Sequence, residues 1–290
     1  MTLGQLTLPD GRVLETWISG PVAAPVLVFH HGTPGSAKPP RALERAVHAA
    51  GLRYVALSRA GYATSSRKAG RSVADVVDDT AAVLASLGVT ECLVAGWSGG
   101  GPHALACAAR LPQARAALVI AGVAPSVALD LDFLSGMGQD NIDEFGAAFD
   151  GEAALRRYLD AQRPALLATD AAGIVASIGS VLPDVDRAQL TDEFGADMAE
   201  SFGDALQVSV DGWLDDDLAF VSDWGFSLDE ITTPVIAWQG ERDLMVPFAH
   251  GQWLASHVPG VTAHLLPGEG HLSITVGAID RMLAELVAAR

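Results

Sequence analysis

Lysine and cysteine are both scarce in this chain. Only Lys38 and Lys68 occur among 18 basic residues, against 35 Asp and Glu, so the formal charge is −17. Phosphate recognition needs a basic face, which this balance does not offer, and nucleic acid is excluded as a partner. The lysine shortage itself reads as a coding bias. The two cysteines, Cys92 and Cys107, fall in an expected buried strand and an expected helix. Their spacing suits neither a zinc site nor a redox pair, so they read as small core residues in a cytoplasmic protein. No apolar run nears the roughly 18 residues that span a bilayer. The stretch Met1 to Gly11 carries Asp10 and no basic segment ahead of an apolar one, so the expectation is an unexported chain without a membrane partner.

What is present suffices for a large core: 290 residues, half of them hydrophobic. Thr2 to Leu8 and Val13 to Ser19 alternate on either side of Pro9-Asp10-Gly11-Arg12, which predicts an edge hairpin. Pro25 to Phe29 is continuously apolar, as a strand covered on both faces should be. Helix (40–50), strand (Arg53 to Leu57), helix (73–87), strand (Glu91 to Ala95), helix (102–111) and strand (Ala116 to Ala121) then alternate with short connections. That rhythm predicts a mostly parallel, doubly wound α/β sheet. It stops after Ala121 and resumes at Pro234 to Trp238, followed by Phe248 to Ser256, Thr262 to Leu266 and Ala278 to Ala289 as helix, strand and helix.

The interruption differs in charge as well as pattern. Residues 124–231 hold 23 Asp and Glu against Arg156, Arg157, Arg163 and Arg187, a net −19, while the remainder is +2. Helical stretches lie at Glu152 to Leu167, Ala188 to Phe202 and Gln207 to Asp216, with no core strand among them. The expected organisation is a core from 1–123 and 232–290 with an acidic helical lid at 124–231.

Chemistry concentrates at Gly96-Trp97-Ser98-Gly99-Gly100, where a short apolar strand turns into a helix. A serine on such a turn presents its hydroxyl above the sheet edge, and the flanking glycines avoid a collision of Cβ with backbone. Ser98 is the candidate nucleophile, and it needs an imidazole as base and a carboxylate to orient that imidazole. Gly240-Glu241-Arg242-Asp243 and Gly268-Glu269-Gly270-His271 each follow an expected strand. Carboxyl ends of parallel strands share one edge, so these groups converge on Ser98. His103, in the helix after Ser98, reads as structural, as do His48, His250, His257 and His264, which lie on expected helices or strands without carboxylates at suitable positions. His30 and His31 read as loop braces, and nothing at metal spacing accompanies them.

The order Ser98, Asp243, His271 resembles that of the α/β-hydrolase superfamily. The resemblance extends over His31-Gly32-Thr33-Pro34-Gly35, Ser58-Arg59-Ala60-Gly61-Tyr62, the Ser98 turn, Gly240-Glu241-Arg242-Asp243 with Val246-Pro247, and Gly268-Glu269-Gly270-His271. It implies Asp243, in preference to Glu241, as the acid of a Ser98-Asp243-His271 triad. It also implies an oxyanion hole from the backbone N–H groups of Thr33 and Gly99. Ser58 and Ala60 stand where many members carry Asp and Pro, and this loop is expected to border the pocket. Relatives that open epoxides or remove halogens place a carboxylate at the nucleophile, so Ser98 points to hydrolysis of an ester, lactone or similar acyl bond of a small molecule, with no cofactor and no metal, while the −19 of the lid makes a neutral or cationic substrate the expectation. Two other readings stay open: a proline-iminopeptidase-like aminopeptidase, and a non-hydrolytic small-ligand binder of the same fold.

Overall fold

Alternating apolar and polar residues on either side of the Pro9-Asp10-Gly11 turn make an antiparallel hairpin of β1 (Thr2–Thr7) and β2 (Val13–Ser19), with β1 as the exposed edge. In the computed structural model, which describes residues 2–170, 173 and 178–290, this hairpin starts an eight-stranded sheet. The other strands are β3 (Val26–His30), β4 (Arg53–Leu57), β5 (Cys92–Trp97), β6 (Ala114–Ile120), β7 (Val235–Gly240) and β8 (Thr262–Leu266). Their order is β1-β2-β4-β3-β5-β6-β7-β8. β2 runs antiparallel to β4, and every later pair is parallel.

The continuous apolar runs are strands covered on both faces. Alternate residues of one strand enter two separate cores: Val26 and Val28 pack on one side, Leu27 and Phe29 on the other. The helices α1 (Arg41–Ala49) and α10 (His271–Ala288) cover the Leu27 face through Leu43, Val47, Leu283 and Leu286. On the opposite face lie α2 (Val76–Ser86), α3 (Gly100–Arg110) and α9 (Phe248–His257). β3 lies between β4 and β5, so the strand order reverses beside it, and ligands bind at the carboxyl ends of strands around such a reversal.

Between β6 and β7, which pair directly, the chain leaves the sheet. It forms α4 (Gln139–Phe149), α5 (Glu152–Leu167), α6 (Asp184–Arg187), α7 (Asp192–Leu206) and α8 (Asp211–Phe220). Residues 171–172 and 174–177 of the 124–231 segment lie outside the described residues. Phe145, Leu155, Leu159, Phe194, Trp213 and Phe220 join this segment to the Val26 core. The helix expected over Glu152 to Leu167 forms over those residues. The two expected at Ala188 to Phe202 and Gln207 to Asp216 each begin four residues later. Local caps set these starts: Thr191 Oγ1 accepts from the Phe194 amide (3.3 Å), and Ser209 Oγ accepts from the Asp211 amide (3.1 Å). α4 has no counterpart in the pattern, since Asp140, Asn141, Asp143 and Gly146 are weak helix formers.

The last helix departs most from expectation, beginning at His271 and not Ala278. Its first three amides, of His271, Leu272 and Ser273, donate to the Asp186 carboxylate at 2.8, 3.0 and 2.9 Å. Asp186 belongs to α6 and is fully buried. A carboxylate from a distant segment therefore satisfies the orphan donors of the helix start, where local sequence offers only Gly270.

Candidate active site

β5 delivers Ser98 into the left-handed region, at φ 57°. The neighbouring glycines permit it. A Cβ on Gly96 would stand 2.1 Å from Gly100 O, and one on Gly100 would stand 2.1 Å from His30 O. The Ser98 amide donates to Ile120 O (2.9 Å), tying the strained residue to β6. Its hydroxyl has no hydrogen-bond partner among the described residues, and it lines a cavity of about 210 Å³ together with Trp97, Gly99, Thr33 and His271.

Asp243 follows β7 and is buried. Its Oδ1 accepts from the amides of Met245 and Val246, both at 2.8 Å, and its Oδ2 accepts from Gln239 Nε2 (3.0 Å) and lies 2.7 Å from His271 Nδ1. A carboxylate only accepts, so Nδ1 carries the proton and Nε2 is left as the basic nitrogen of a neutral imidazole. Burial by itself would lower the His271 pKa, but the Asp243 charge and hydrogen bond outweigh it and raise the group above its ordinary value. The Trp97 ring lies over the imidazole at 5.3 Å. Glu241, the rival acid, points to solvent.

The loop after β3 brings Thr33 beside Gly99. A Cβ on Gly99 would stand 2.3 Å from Thr33 Oγ1, so only glycine keeps this space open. No described residue accepts a hydrogen bond from the amide of Thr33 or of Gly99, and both residues line the cavity. The other side of the Gly32–Thr33 peptide is held. Gly32 O contacts His31 Nδ1 (2.7 Å) and accepts from Arg59 Nη2 (3.1 Å), while Arg59 Nη1 donates to His31 O (2.6 Å). In a trans peptide C=O and N–H point oppositely, so gripping Gly32 O fixes the direction of the Thr33 N–H.

Arg59 is held in turn by Asp216 of α8, both fully buried, with Nη2 2.5 Å from Oδ2. Asp216 also receives Thr33 Oγ1 (2.8 Å) and Tyr62 Oη (2.9 Å) and pairs with Arg71 Nη2 (2.7 Å). The Ser58 to Tyr62 loop therefore does not border the pocket as expected: it sits behind the Thr33 loop and clamps it. A second correction concerns histidines. Glu285 lies 2.8 Å from His264 and Asp130 lies 3.3 Å from His257, so these two histidines do have carboxylates that sequence spacing hides, and Asp216 lies 3.3 Å from His103 Nε2. Burial drops His103 to about 4, which keeps it neutral and structural. The roles of Asp186, Arg59 and Asp216 escape sequence reading, although Arg59 stands in a stretch that carries the resemblance. For Asp186 and Asp216 the only signal was that 124–231 is rich in acids, and the caps and pairs they form are long-range.

Comparison with known proteins agrees with this architecture. The chain belongs to the alpha/beta hydrolase fold family, whose model matches residues 25–278. It is 26% identical over 197 residues (62% of this chain, 67% of the relative) to a pimeloyl-[acyl-carrier protein] methyl ester esterase of Aromatoleum aromaticum. It is 35% identical over 123 residues (41% of this chain, 45% of the relative) to a bifunctional esterase/perhydrolase of Acinetobacter calcoaceticus, so it spans less than half of that relative. Among solved structures, an enol-lactonase from Burkholderia xenovorans LB400 superposes with a TM-score of 0.71 at 15% identity, over 98% of this chain and 100% of that one. An alpha/beta hydrolase fold protein from Nakamurella multipartita gives 0.67 at 25% identity, over 99% of each. No helix among the described residues is long and apolar enough to cross a membrane.

Proposed function

We propose that the protein is a serine hydrolase that cleaves an ester, lactone or similar acyl bond of a small molecule. The observation that carries this reading is one cavity lined by a left-handed serine, an imidazole with its Nδ1 committed to a buried carboxylate, and two unpaired backbone amides. Ser98 Oγ attacks the acyl carbon while His271 Nε2 takes its proton, and Asp243 stabilises the imidazolium. The amides of Thr33 and Gly99 receive the developing oxyanion. The alcohol leaves with the proton from His271, and water, deprotonated by the same imidazole, releases the acid. Catalytic hydrogen bonds of empty sites commonly tighten only around substrate, which accommodates the free Ser98 hydroxyl. The names of the esterase relatives support the same class of reaction.

Residues 124–231 serve as a lid: α4, α5, α7 and α8 all contribute cavity-lining side chains, among them Glu144, Tyr158, Phe202 and Trp213. Asp140, Glu144, Asp197 and Asp217 line the cavity against Lys38 as its one lysine, so the lid favours neutral or cationic substrates over anionic ones. A paired assay tests the reading. Turnover of a nitrophenyl ester, with covalent labelling of Ser98 by an organophosphonate, is expected; cleavage of a proline anilide with no ester turnover would establish an aminopeptidase instead, and absence of both a non-hydrolytic binder.

A further inference from the structure

Asp216 and Asp217 are neighbours on α8, and both are fully buried, yet their surroundings are opposite. Asp216 is saturated by Arg59, Arg71, Tyr62 and Thr33. Asp217 projects about 100° further round the helix, and neither of its carboxyl oxygens receives an N–H or hydroxyl donor among the described residues, its hydrogen-bonding neighbour being the Glu144 carboxyl. It lines the cavity that contains Ser98. A buried carboxyl without a donor is costly, and a fold that needed only an anchor has one in Asp216.

A second carboxyl stands beside it. Glu144 of α4 lines the same cavity, and its Oε1 accepts from Trp213 Nε1 (2.8 Å). Burial pushes both carboxyls up, Glu144 to about 7, and Glu144 further opposes ionisation of Asp217, whereas a hydrogen bond from Asp217 eases that of Glu144. The charged and titratable groups facing the pair offer it no free cation. Asp140 of α4 adds like charge, Tyr158 of α5 gives its hydroxyl to Asp140 O (3.0 Å), and Arg71 is taken by Asp216 and by Gly212 O. Trp213, Tyr158, Phe145 and Phe220 supply aromatic walls to the cavity.

We propose that Glu144 and Asp217 form a subsite for a primary ammonium group, so that this enzyme acts on substrates with an amine remote from the bond that Ser98 attacks. The substrate class rests on the acyl-hydrolase reading of the cavity. An ammonium brings three donors and no acceptor, which matches the acceptor capacity that the Glu144–Asp217 pair leaves unfilled. Its charge favours ionisation of both carboxyls and can replace the proton that links them, and aromatic faces favour a cation at the same place. A neutral alkyl group buries Asp217 and gives it nothing, and an anion offers the carboxyl pair neither a donor nor a counter-charge.

Calorimetric titration with n-alkylammonium chlorides, butyl to octyl, against the 1-alkanols of equal length reads the subsite without any reaction. At low salt and mildly alkaline pH the best ammonium should bind roughly tenfold or more tighter than its alkanol, as a charge-assisted hydrogen bond supplies. That preference should collapse in Asp217→Asn and shrink in Glu144→Gln, with thermal melting used to establish that each variant is folded. Equal binding of ammonium and alkanol by the wild type overturns the proposal, as does an absence of heat from every ammonium, or a preference that survives both substitutions. Turnover of nitrophenyl acetate by the wild type, measured alongside, reports separately on the hydrolase reading: amine binding without ester turnover upholds the subsite and removes that reaction.

Discussion

Replacing Asp216 by asparagine keeps the shape of the side chain, removes its charge and turns one acceptor oxygen into a donor. In the wild type that carboxylate receives Arg59 Nη2 at 2.5 Å, Arg71 Nη2 at 2.7 Å, Thr33 Oγ1 at 2.8 Å and Tyr62 Oη at 2.9 Å. Asp216→Asn leaves two buried guanidinium groups short of a counter-charge, and breaking a buried pair in this way costs about 3–5 kcal/mol. Set against a typical folding free energy of roughly 5–15 kcal/mol, this predicts a drop in melting temperature on the order of 10 °C. Burial alone would raise the Asp216 pKa, but Arg59 and Arg71 outweigh it and hold the group well below the ordinary carboxylate range. A depressed pKa means that the stabilisation is fully present above the unfolded value of about 3.9 and is lost as pH falls through the folded value. The stability gap between wild type and variant should therefore stay constant down to about pH 4 and close only below it.

The kinetic consequence follows from the clamp on Gly32 O. Deleting one oxyanion donor outright costs about 10²–10³ in kcat. Loosening Arg59 leaves the Thr33 amide in place but frees its direction, with His31 still in contact with Gly32 O. We expect a fall in kcat of about tenfold to a hundredfold, with KM little changed, because the contact strengthens only in the transition state. Urea unfolding followed by tryptophan fluorescence, together with steady-state turnover of nitrophenyl acetate, measures both effects. A variant with an unchanged urea midpoint and kcat within about threefold of wild type would refute the reasoning, since that is too small to be a misdirected donor.

Ser98→Ala should abolish organophosphonate labelling and reduce turnover by about 10⁴ or more while leaving urea unfolding intact, and activity within about tenfold of wild type would reject Ser98 as nucleophile. His271 must be neutral to act as base, and Asp243 raises its pKa, so activity should rise with pH through a midpoint above about 6.5; Asp243→Asn should lower that midpoint as well as kcat. Glu241→Gln, at an exposed side chain, should leave the pH–rate profile in place, and greater damage there than at Asp243 would reassign the acid. Asp217 titrates above an unfolded carboxylate, so its burial stabilises the protein in acid and loses that contribution as pH rises; Asp217→Asn should gain melting temperature relative to wild type on going from pH 5 to pH 8, and a constant difference would mean that the carboxyl is solvated.

Apolar runs, turn residues and helical periodicity are local signals, and they carried most of the sheet. The hairpin, the buried strands from Val26 onward and the return of the sheet at Val235 follow from which residues tolerate burial on two faces. Gly96, Ser98 and Gly100 announced a tight strand-to-helix turn, since the clash that requires glycine at 96 is with Gly100, while the one at 100 is with the distant His30 O. Asp243 and His271 stood at the ends of recognisable strands, where a parallel sheet collects its polar groups. The fate of the acidic segment was a different matter. Its −19 is visible by counting, yet Asp186, Asp197, Asp215, Asp216 and Asp217 are buried while others face water, and composition cannot separate them. Asp197 meets Arg41 (2.6 Å), Asp215 meets Arg67 (2.8 Å) and Asp216 meets Arg59 (2.5 Å), so acids of the insertion dock on arginines of the rest of the chain. These partners, and the Asp186 cap on the His271 helix 85 residues away, have no local period or spacing to betray them. Whether a carboxylate is an anchor, a solvated charge or an unpaired group in a cavity depends on which distant donors the packed chain brings within 3 Å, and only the tertiary structure decides that.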